Sequence, residues 1–135
     1  LTVREVMNSP VLSVEPTDPI EKAALIMEEN KVSGLPVVEG GAVVGIITIT
    51  DMLSSFVDVL GLREGGTRVT AVLPDQPGIL QKVAEAGPPS NIVAVVTSGI
   101  KEGQRRELVL RVTGEAAAEF PERLRAKGVD VADVQ

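Results

Sequence analysis

The chain contains 135 residues with a net charge of −6; 44% of them are apolar and 24% are charged, the balance of an ordinary globular protein. It contains no cysteine and no histidine, which excludes disulfides and thiolate metal sites and removes the usual general base. No basic excess is present to follow a nucleic-acid backbone, and no apolar run approaches the ~20 residues that span a bilayer. Neither nucleic acid nor a membrane is therefore an expected partner.

The N-terminal half predicts the order strand, helix, strand, strand, helix, after a short helical turn over residues 2–7. Residues 11–14 form the first predicted strand. Asp18 and Pro19 mark the start of the first long helix, because aspartate is a good cap and proline fits the first helical position. We expect this helix to stop at Gly34. Its predicted apolar face consists of Ile20, Ala23, Ala24 and Met27.

Two strands joined by a tight turn follow that helix. They are predicted over residues 32–38 and 43–48, with the turn at Gly40 and Gly41. The second strand continues into a helix over about residues 51–60. The apolar side chains that this helix is expected to bury are Leu53, Phe56, Val57 and Leu60.

The junction between the second strand and this helix carries the candidate chemistry. The Thr48 hydroxyl lies at the strand end, and the Asp51 carboxylate lies in the first helical turn. A helix start offers free backbone N–H groups that suit a phosphate, and a carboxylate beside it can accept hydrogen bonds from two ribose hydroxyls. Threonine and aspartate are also good caps, so the alternative is that this pair only caps the helix.

Residues 32–38, Val-Ser-Gly-Leu-Pro-Val-Val, followed by Gly45-x-x-Thr48-x-x-Asp51, resemble a CBS motif of the nucleotide-binding kind. The resemblance implies an adenosine ligand, with Thr48 on its phosphate and Asp51 on its ribose. Few basic residues lie near the motif, so AMP, ADP or S-adenosylmethionine is as acceptable a ligand as ATP. The other nucleotide-binding residues that the resemblance implies, most of them near the base, are Leu12, Ser13, Ser33, Leu35 and Pro36.

Residues 61–66 form a predicted flexible break, because Gly65 and Gly66 lie among polar neighbours, and we place the boundary between domains 1–63 and 64–135. A hairpin loop is expected over residues 99–104, with Arg105 and Arg106 at its exposed edge. The predicted strands are 68–73, 91–98, 107–113 and 129–134, and the predicted helices are 79–86 and 115–127, the last capped by Gly128. This βαββαβ order is the ferredoxin-like arrangement, so the predicted fold class is α/β (α+β).

Residues 73–80, Leu-Pro-Asp-Gln-Pro-Gly-Ile-Leu, together with Asn91-Ile92, resemble an ACT domain, a small-molecule regulatory module. The resemblance implies that this loop and the strand from Asn91 meet across a dimer interface to hold an amino acid. Asp75 would then pair with its amino group. In the alternative, Asp75 only forms a turn and Asn91 lies at a strand edge, in a domain that only dimerises. The implied ligand residues are Asp75, Gly78, Ile79, Asn91 and Ile92.

The succession of a CBS motif, a Gly-Gly linker and an ACT domain resembles bacterial acetoin-utilisation-type proteins, which carry two CBS motifs before the ACT domain. The chain begins at Leu1 rather than Met, so we expect a fragment that lacks the first motif. A lone motif leaves an apolar face bare, which predicts a homodimer. The expected function is a cytoplasmic, non-catalytic, metal-free sensor of an adenine nucleotide or S-adenosylmethionine that acts on a regulated enzyme. The alternative is a ligand-free dimerisation or assembly module.

Overall fold

The computed structural model describes residues 1–101 and 103–135, and the chain divides into two compact units, Leu1–Phe56 (unit 1) and Val57–Gln135 (unit 2). The division falls a few residues before the predicted boundary between residues 63 and 64, which stays a prediction. Glu102, within the predicted hairpin loop 99–104, lies outside the described residues.

Unit 1 contains a two-stranded sheet and the helices around it. The two strands pair antiparallel and are joined at Gly40 and Gly41, whose φ angles of 56° and 83° suit glycine. This confirms the predicted hairpin. The elements are α1 (Val3–Val6), α2 (Ile20–Asn30), β1 (Gly34–Glu39), β2 (Ala42–Thr48) and α3 (Ile49–Val59), which continues into unit 2.

The core of unit 1 is small. The side chains that α3 was expected to bury are only partly covered. Met52, which is not among the predicted residues, is the buried side chain of α3. Of the residues predicted to be buried, Val57 and Leu60 are half-buried, whereas Leu53 and Phe56 are 58% and 57% exposed. Their spacing shows which face of the helix is apolar, but no element of unit 1 covers that face. The buried residues of unit 1 are Val14, Ala23, Met27, Leu35 and Met52.

Backbone geometry corrects two predicted boundaries near α2. Residue Pro19 takes the cap position, so α2 begins at Ile20, and Asp18 instead accepts a hydrogen bond from the Glu15 amide. The helix does not end at Gly34, because Lys31 already adopts a left-handed φ of 56°. The helix stop therefore lies three residues earlier than glycine placement predicts.

The predicted strand over residues 11–14 is wrong, since it is reduced to a single parallel bridge between Val14 and Val37. The Val14 amide donates to the Pro36 carbonyl at 3.1 Å, and its carbonyl accepts from the Val38 amide at 2.8 Å. These two hydrogen bonds fix the N-terminal segment against β1.

Unit 2 is a four-stranded antiparallel sheet with strand order β4-β5-β3-β6, and the predicted ferredoxin-like order βαββαβ is confirmed. Strands β3 and β5 are central, which corrects the placement of Arg105 and Arg106 at an exposed edge, because both lie in β5. The elements are β3 (Thr67–Pro74), α4 (Ile79–Glu85), β4 (Asn91–Lys101), β5 (Arg105–Thr113), a 3-10 turn (Ala117–Glu119), α5 (Phe120–Ala126) and β6 (Asp130–Val134).

The core of unit 2 follows from alternation along the two central strands. From Val69 to Leu73 and from Leu108 to Val112, every second residue packs in the core and is almost fully buried. Phe120 and Leu124 of α5 complete this layer and expose no surface. The buried strand residues are Val69, Ala71, Leu73, Leu108, Leu110 and Val112.

The predicted helix 115–127 is broken at its start. Ala116 has a φ of 53°, and a 3-10 turn precedes α5, which therefore begins only at Phe120. At the other end, the Gly128 amide donates to the Arg125 carbonyl and the Val129 amide to the Leu124 carbonyl. This pattern is a Schellman motif, and it places Gly128 just after the cap.

Gly61 and Gly66 of the glycine-rich segment 61–66 approach β5 closely, and the predicted flexible break between the domains stays a prediction. A side chain at Gly61 would lie 3.3 Å from Arg111 Cδ, and one at Gly66 would overlap the Val112 carbonyl oxygen. Arg111 Nη1 also donates to the Gly65 carbonyl at 2.9 Å. Glycine is therefore needed here for close approach to β5 and not only for conformational freedom.

A single arginine of α5 ties together the loops of unit 2. Arg123 donates to the backbone carbonyls of Ala86, Ala116 and Gly87 at 2.9, 3.0 and 3.1 Å and to Ser90 Oγ at 2.7 Å. Its guanidinium lies 5.7 Å from the centre of the Phe120 ring. One planar fork thus satisfies acceptors in two segments, the loop between α4 and β4 and the turn that precedes α5.

Arg123→Met keeps the aliphatic stem and removes all of these donors. We expect the free energy of unfolding to fall by about 2–3 kcal/mol, because half-buried acceptors lose hydrogen bonds to a charged group. Urea unfolding followed by circular dichroism measures the change. The control Arg125→Met, on the same helix with exposed Glu122 as its partner, should change stability by less than about 1 kcal/mol. Equal losses in both variants would contradict the prediction.

Candidate functional site

Thr48 and Asp51 form a reciprocal cap at the start of α3. The Thr48 amide and hydroxyl both donate to Asp51 Oδ2 at 2.7 Å, and the Asp51 amide donates back to Thr48 Oγ1 at 3.3 Å. The Ile49 amide donates to the Ser33 carbonyl at 3.1 Å. Two amides of the first helical turn are therefore already engaged, and a phosphate bound here must compete for them.

The Asp51 carboxylate keeps part of its accepting capacity. An ionised carboxylate offers about four lone-pair sites, and the two hydrogen bonds from Thr48 both use Oδ2. Oδ1 accepts no hydrogen bond from any residue that the structure describes, and the side chain is exposed. The Thr48 side-chain and backbone hydrogen bonds hold the pKa of the Asp51 carboxyl below its ordinary value, so it is ionised at neutral pH.

An open cleft of about 520 Å³ lies between α2 and the start of α3. Ser33 is the predicted site residue that lines it. The cationic side chain that lines the cleft is Lys31. It pairs with Glu28 at 3.4 Å, so the charge of Lys31 is balanced within the cleft. The other lining residues, which the motif-based reasoning did not assign to a site, are Ala24, Met27, Val32, Ile49 and Met52.

The other predicted nucleotide residues surround the same strand. Leu12 and Ser13 are exposed and directly precede Val14, whose amide binds the Pro36 carbonyl. Leu35 is 1% exposed and packs in the core of unit 1. Leu12 and Ser13 are therefore accessible to a ligand, whereas the buried Leu35 side chain is not.

In unit 2, Asp75 is bound by Arg106. Arg106 Nε and Nη2 donate to the two carboxylate oxygens of Asp75 at 2.7 and 3.3 Å, and Nη1 donates to the Ser98 carbonyl at 3.1 Å. This pairing lowers the pKa of Asp75 and raises the pKa of Arg106. An amino group that binds Asp75 would therefore share the carboxylate with a guanidinium.

The predicted ACT-ligand residues lie at opposite ends of the sheet within one chain. Asp75 follows Pro74, which pairs with Arg105 at the start of β5, whereas Asn91 pairs with Thr113 at its end. Eight residue steps of about 3.3 Å separate those ends by roughly 26 Å. Gly78 is exposed with a φ of 83°, and Ile79 and Ile92 pack partly against the core. One chain alone does not bring the two groups together.

Arg106 is the site residue that sequence reasoning missed. It is separated from Asp75 by 31 positions, and only the register of β3 against β5 places the two side chains together. The alternation of β5 was a usable signal, because it puts Arg106 in phase with the buried Leu108 and Leu110.

Within residues 1–101 and 103–135, no helix has both the length and the apolar character needed to cross a membrane. Over the same residues, no three carboxylates converge in a way that could hold a metal ion.

The fold and the two candidate sites define a chain made of two regulatory domains. A CBS domain model matches residues 3–58, and a TTHA0829-like ACT domain model matches residues 65–135. The chain therefore belongs to the TTHA0829-like ACT domain family and carries a CBS domain before it. This confirms the predicted succession. Domains of these two types are regulatory and not catalytic.

Curated relatives match short parts of the chain. An "Uncharacterized 33.4 kDa protein in ribosomal RNA operon" of Thermofilum pendens is 38% identical over 68 residues, 49% of this chain and 23% of that protein. An inosine-5'-monophosphate dehydrogenase of Korarchaeum cryptofilum (strain OPF8) is 45% identical over 42 residues, 31% of this chain and 9% of that protein. The chain thus spans less than a quarter of the length of either relative.

Among solved structures, the chain is similar to a hexameric CBS-CP12 protein from bloom-forming cyanobacteria. The identity is 26%, and the match covers 62% of this chain and 42% of that chain, with a TM-score of 0.39.

The Thr48–Asp51 cap predicts a measurable pKa change. Thr48→Val removes the hydroxyl donor but keeps the amide, so the pKa of Asp51 should rise toward its ordinary value. A lowered carboxyl pKa stabilises the folded state above the ordinary pKa, and this contribution is lost as the pH falls through the lowered one. Carboxyl ¹³C NMR titration measures the shift. Thr50→Val, a neighbouring exposed threonine, is the control and should leave the pKa of Asp51 unchanged; an unchanged pKa in Thr48→Val would contradict the prediction.

Proposed function

We propose that the chain is a ligand-sensing regulatory module whose CBS domain binds an adenosyl nucleotide at Thr48 and Asp51. The observation that carries this proposal is the exposed, ionised Asp51, whose Oδ1 keeps its accepting capacity while Oδ2 is held by Thr48. Two ribose hydroxyls need two acceptor sites, which Oδ1 offers.

The charge around the site favours a ligand with few phosphates. Lys31 is already paired with Glu28, and the first amides of α3 are partly engaged. A triphosphate would find little positive charge here, whereas AMP, ADP or S-adenosylmethionine requires less. The apolar lining of the cleft beside Ser33 is compatible with a base or with another apolar group.

We further propose that the chain forms a homodimer through its CBS domain. Ile49, Leu53 and Phe56 lie at spacings of four and three residues on one face of α3 and are all exposed. Val44 and Ile46 of β2 are exposed as well. Exposed apolar rows of this kind mark association sites, and a second copy offers a surface of the same character.

Pairing of the ACT domains would complete the second candidate site. Strand β4 lies at the edge of the sheet, so antiparallel pairing of two copies of β4 brings Asn91 of one copy to the Asp75 end of the other. An amino acid or another small metabolite bound there would link the two copies. Ligand binding would then favour one arrangement of the dimer, which is how a sensor of this kind regulates a partner enzyme.

We also propose a setting for the module. The inosine-5'-monophosphate dehydrogenase relative shows that a similar segment occurs within an enzyme, which supports a regulated enzyme as the partner. A cytoplasmic location and a role in acetoin utilisation remain proposals that rest on the resemblance of the domain order.

A ligand-free assembly module is the second candidate function. It is favoured by the observation that both candidate carboxylates already have partners in the chain: Asp51 binds Thr48, and Asp75 binds Arg106. In that case the two pairs only stabilise a helix start and a loop.

Titration calorimetry with AMP, ADP, ATP and S-adenosylmethionine separates the two functions. We expect saturable binding of at least one adenosyl ligand, weakened about tenfold or more by Asp51→Asn, because the ribose loses its charged acceptor. Asp58→Asn, a matched carboxylate on the same helix that pairs with Arg63, should bind as the unchanged chain does. Failure of every adenosyl ligand to bind, with the fold confirmed by circular dichroism, would favour the assembly module.

Analytical ultracentrifugation tests the homodimer. Leu53→Glu places a charge in the exposed apolar row of α3, so we expect the dimer dissociation constant to increase about tenfold or more, since burying an unpaired charge is costly. Ser54→Glu adds the same charge at the adjacent exposed position and should leave the constant nearly unchanged. A monomeric unchanged chain, or equal effects of the two variants, would contradict a dimer through this face.

A further inference from the structure

A cavity of about 250 Å³ lies on the open face of the unit 2 sheet, opposite the helices. Ala94 and Val96 of β4 form part of its floor, and Leu60 and Leu62, from the segment that follows α3, form one wall. The cavity is smaller than the roughly 300–1,000 Å³ of pockets that hold drug-sized ligands, so its occupant has few atoms. It shares no residue with the CBS site or with the Asp75 loop.

Two arginines at the cavity face each other across the central strands. Arg68 of β3 is the register partner of Arg111 of β5, and both line the cavity. Arg68 Nη1 donates to Thr70 Oγ1 at 3.1 Å and lies 3.5 Å from Asp133 Oδ2. Like charges directly opposite each other in an antiparallel pair repel, so this arrangement needs a negative charge nearby.

Arg111 supplies the charge that is not compensated. Its Nη1 donates to the neutral Gly65 carbonyl at 2.9 Å, and no carboxylate of the described part of the chain lies within 4.0 Å of its guanidinium. Asp133 compensates Arg68 only. The pair of arginines therefore has one positive charge in excess, beside a cavity whose other walls are apolar.

We propose that this cavity binds a small aliphatic carboxylate. The carboxylate would pair with the remaining donors of Arg111 and with Arg68, because guanidinium groups match carboxylates in a planar, two-point geometry. The aliphatic body would occupy the space between Leu60 and the β4 floor of Ala94 and Val96. Inorganic phosphate has no apolar body, and a neutral apolar molecule leaves the excess charge uncompensated.

The first test is calorimetric titration of the 135-residue chain with isovalerate. We expect saturable binding, and binding weaker by about tenfold or more for isovaleramide, which has the same shape without the charge, and for acetate, which has the charge without the apolar body. Absence of saturable isovalerate binding, or equal binding of all three molecules, would overturn the proposal.

Two variants locate the site independently of each other. Ala94→Leu fills the cavity and keeps both arginines, and Arg111→Gln removes the excess charge; each should weaken isovalerate binding about tenfold or more. Arg105→Gln, on the same strand but outside the cavity, is the charge-matched control and should bind as the unchanged chain does. Adenosyl-ligand binding should be unaffected by all three, so that the two proposals fail separately. Binding that survives both cavity variants would overturn the assignment.

Discussion

The scarcity of covering elements in unit 1 is the constraint on which the rest of the molecule depends. Its hairpin has two strands, and a two-stranded sheet is marginally stable alone. The α2 helix covers part of that hairpin through Ala23 and Met27, whereas the exposed row on α3 remains outside this core. The proposed association would therefore stabilise unit 1 as well as provide a route for regulation, and a ligand that favours one packing of the exposed row would change both.

The Thr48–Asp51 pair combines a structural and a proposed functional role in the same atoms. The hydroxyl and the carboxylate satisfy each other and so fix the start of α3. The fixed carboxylate is held in one orientation, and an acceptor that is already oriented loses less freedom when a ligand binds it. The cap therefore supports the ligand proposal, because it orients the carboxylate. Capping by itself would also explain why a threonine and an aspartate occur at these two positions.

Unit 2 distributes its charges differently from unit 1. Arg106 is matched by Asp75, and Arg123 is surrounded by carbonyls and a hydroxyl, so each guanidinium serves the fold. Arg111 instead meets one neutral carbonyl. Arg106 and Arg123 thus have their donors matched by partners within unit 2, whereas the charge of Arg111 is not compensated. The open face of the sheet therefore differs chemically from the loops that resemble known ACT ligand sites.

Elements with a strong periodic signal were predictable from the sequence. The β1–β2 hairpin follows from two short apolar runs on either side of Gly40 and Gly41, and the ferredoxin-like order follows from the succession of strand and helix patterns in unit 2. The exposure of Leu53 and Phe56 was not predictable, because periodicity identifies an apolar face but not what covers it. The late start of α5 depends on one left-handed residue, Ala116, whose type gives no sign of that conformation.

Sequence reasoning identified the partner of one candidate carboxylate, Asp51, but not the partner of the other, Asp75. The contact of Asp51 with Thr48 is local and follows from a capping pattern. The contact of Asp75 with Arg106 requires the register of two strands, which a single sequence does not contain. Whether either carboxylate accepts a ligand is decided by competition with these partners.

The packing of the glycine-rich segment has a practical consequence for dividing the protein. A side chain at Gly61 would meet Arg111 and Val93, and one at Gly66 would overlap the Val112 carbonyl, so the residues just before β3 belong structurally to unit 2. A fragment that begins at Gly65 would lose residues 60–64 and expose the part of β5 that they cover. An autonomous ACT domain should therefore begin before Leu60, upstream of the matched family region.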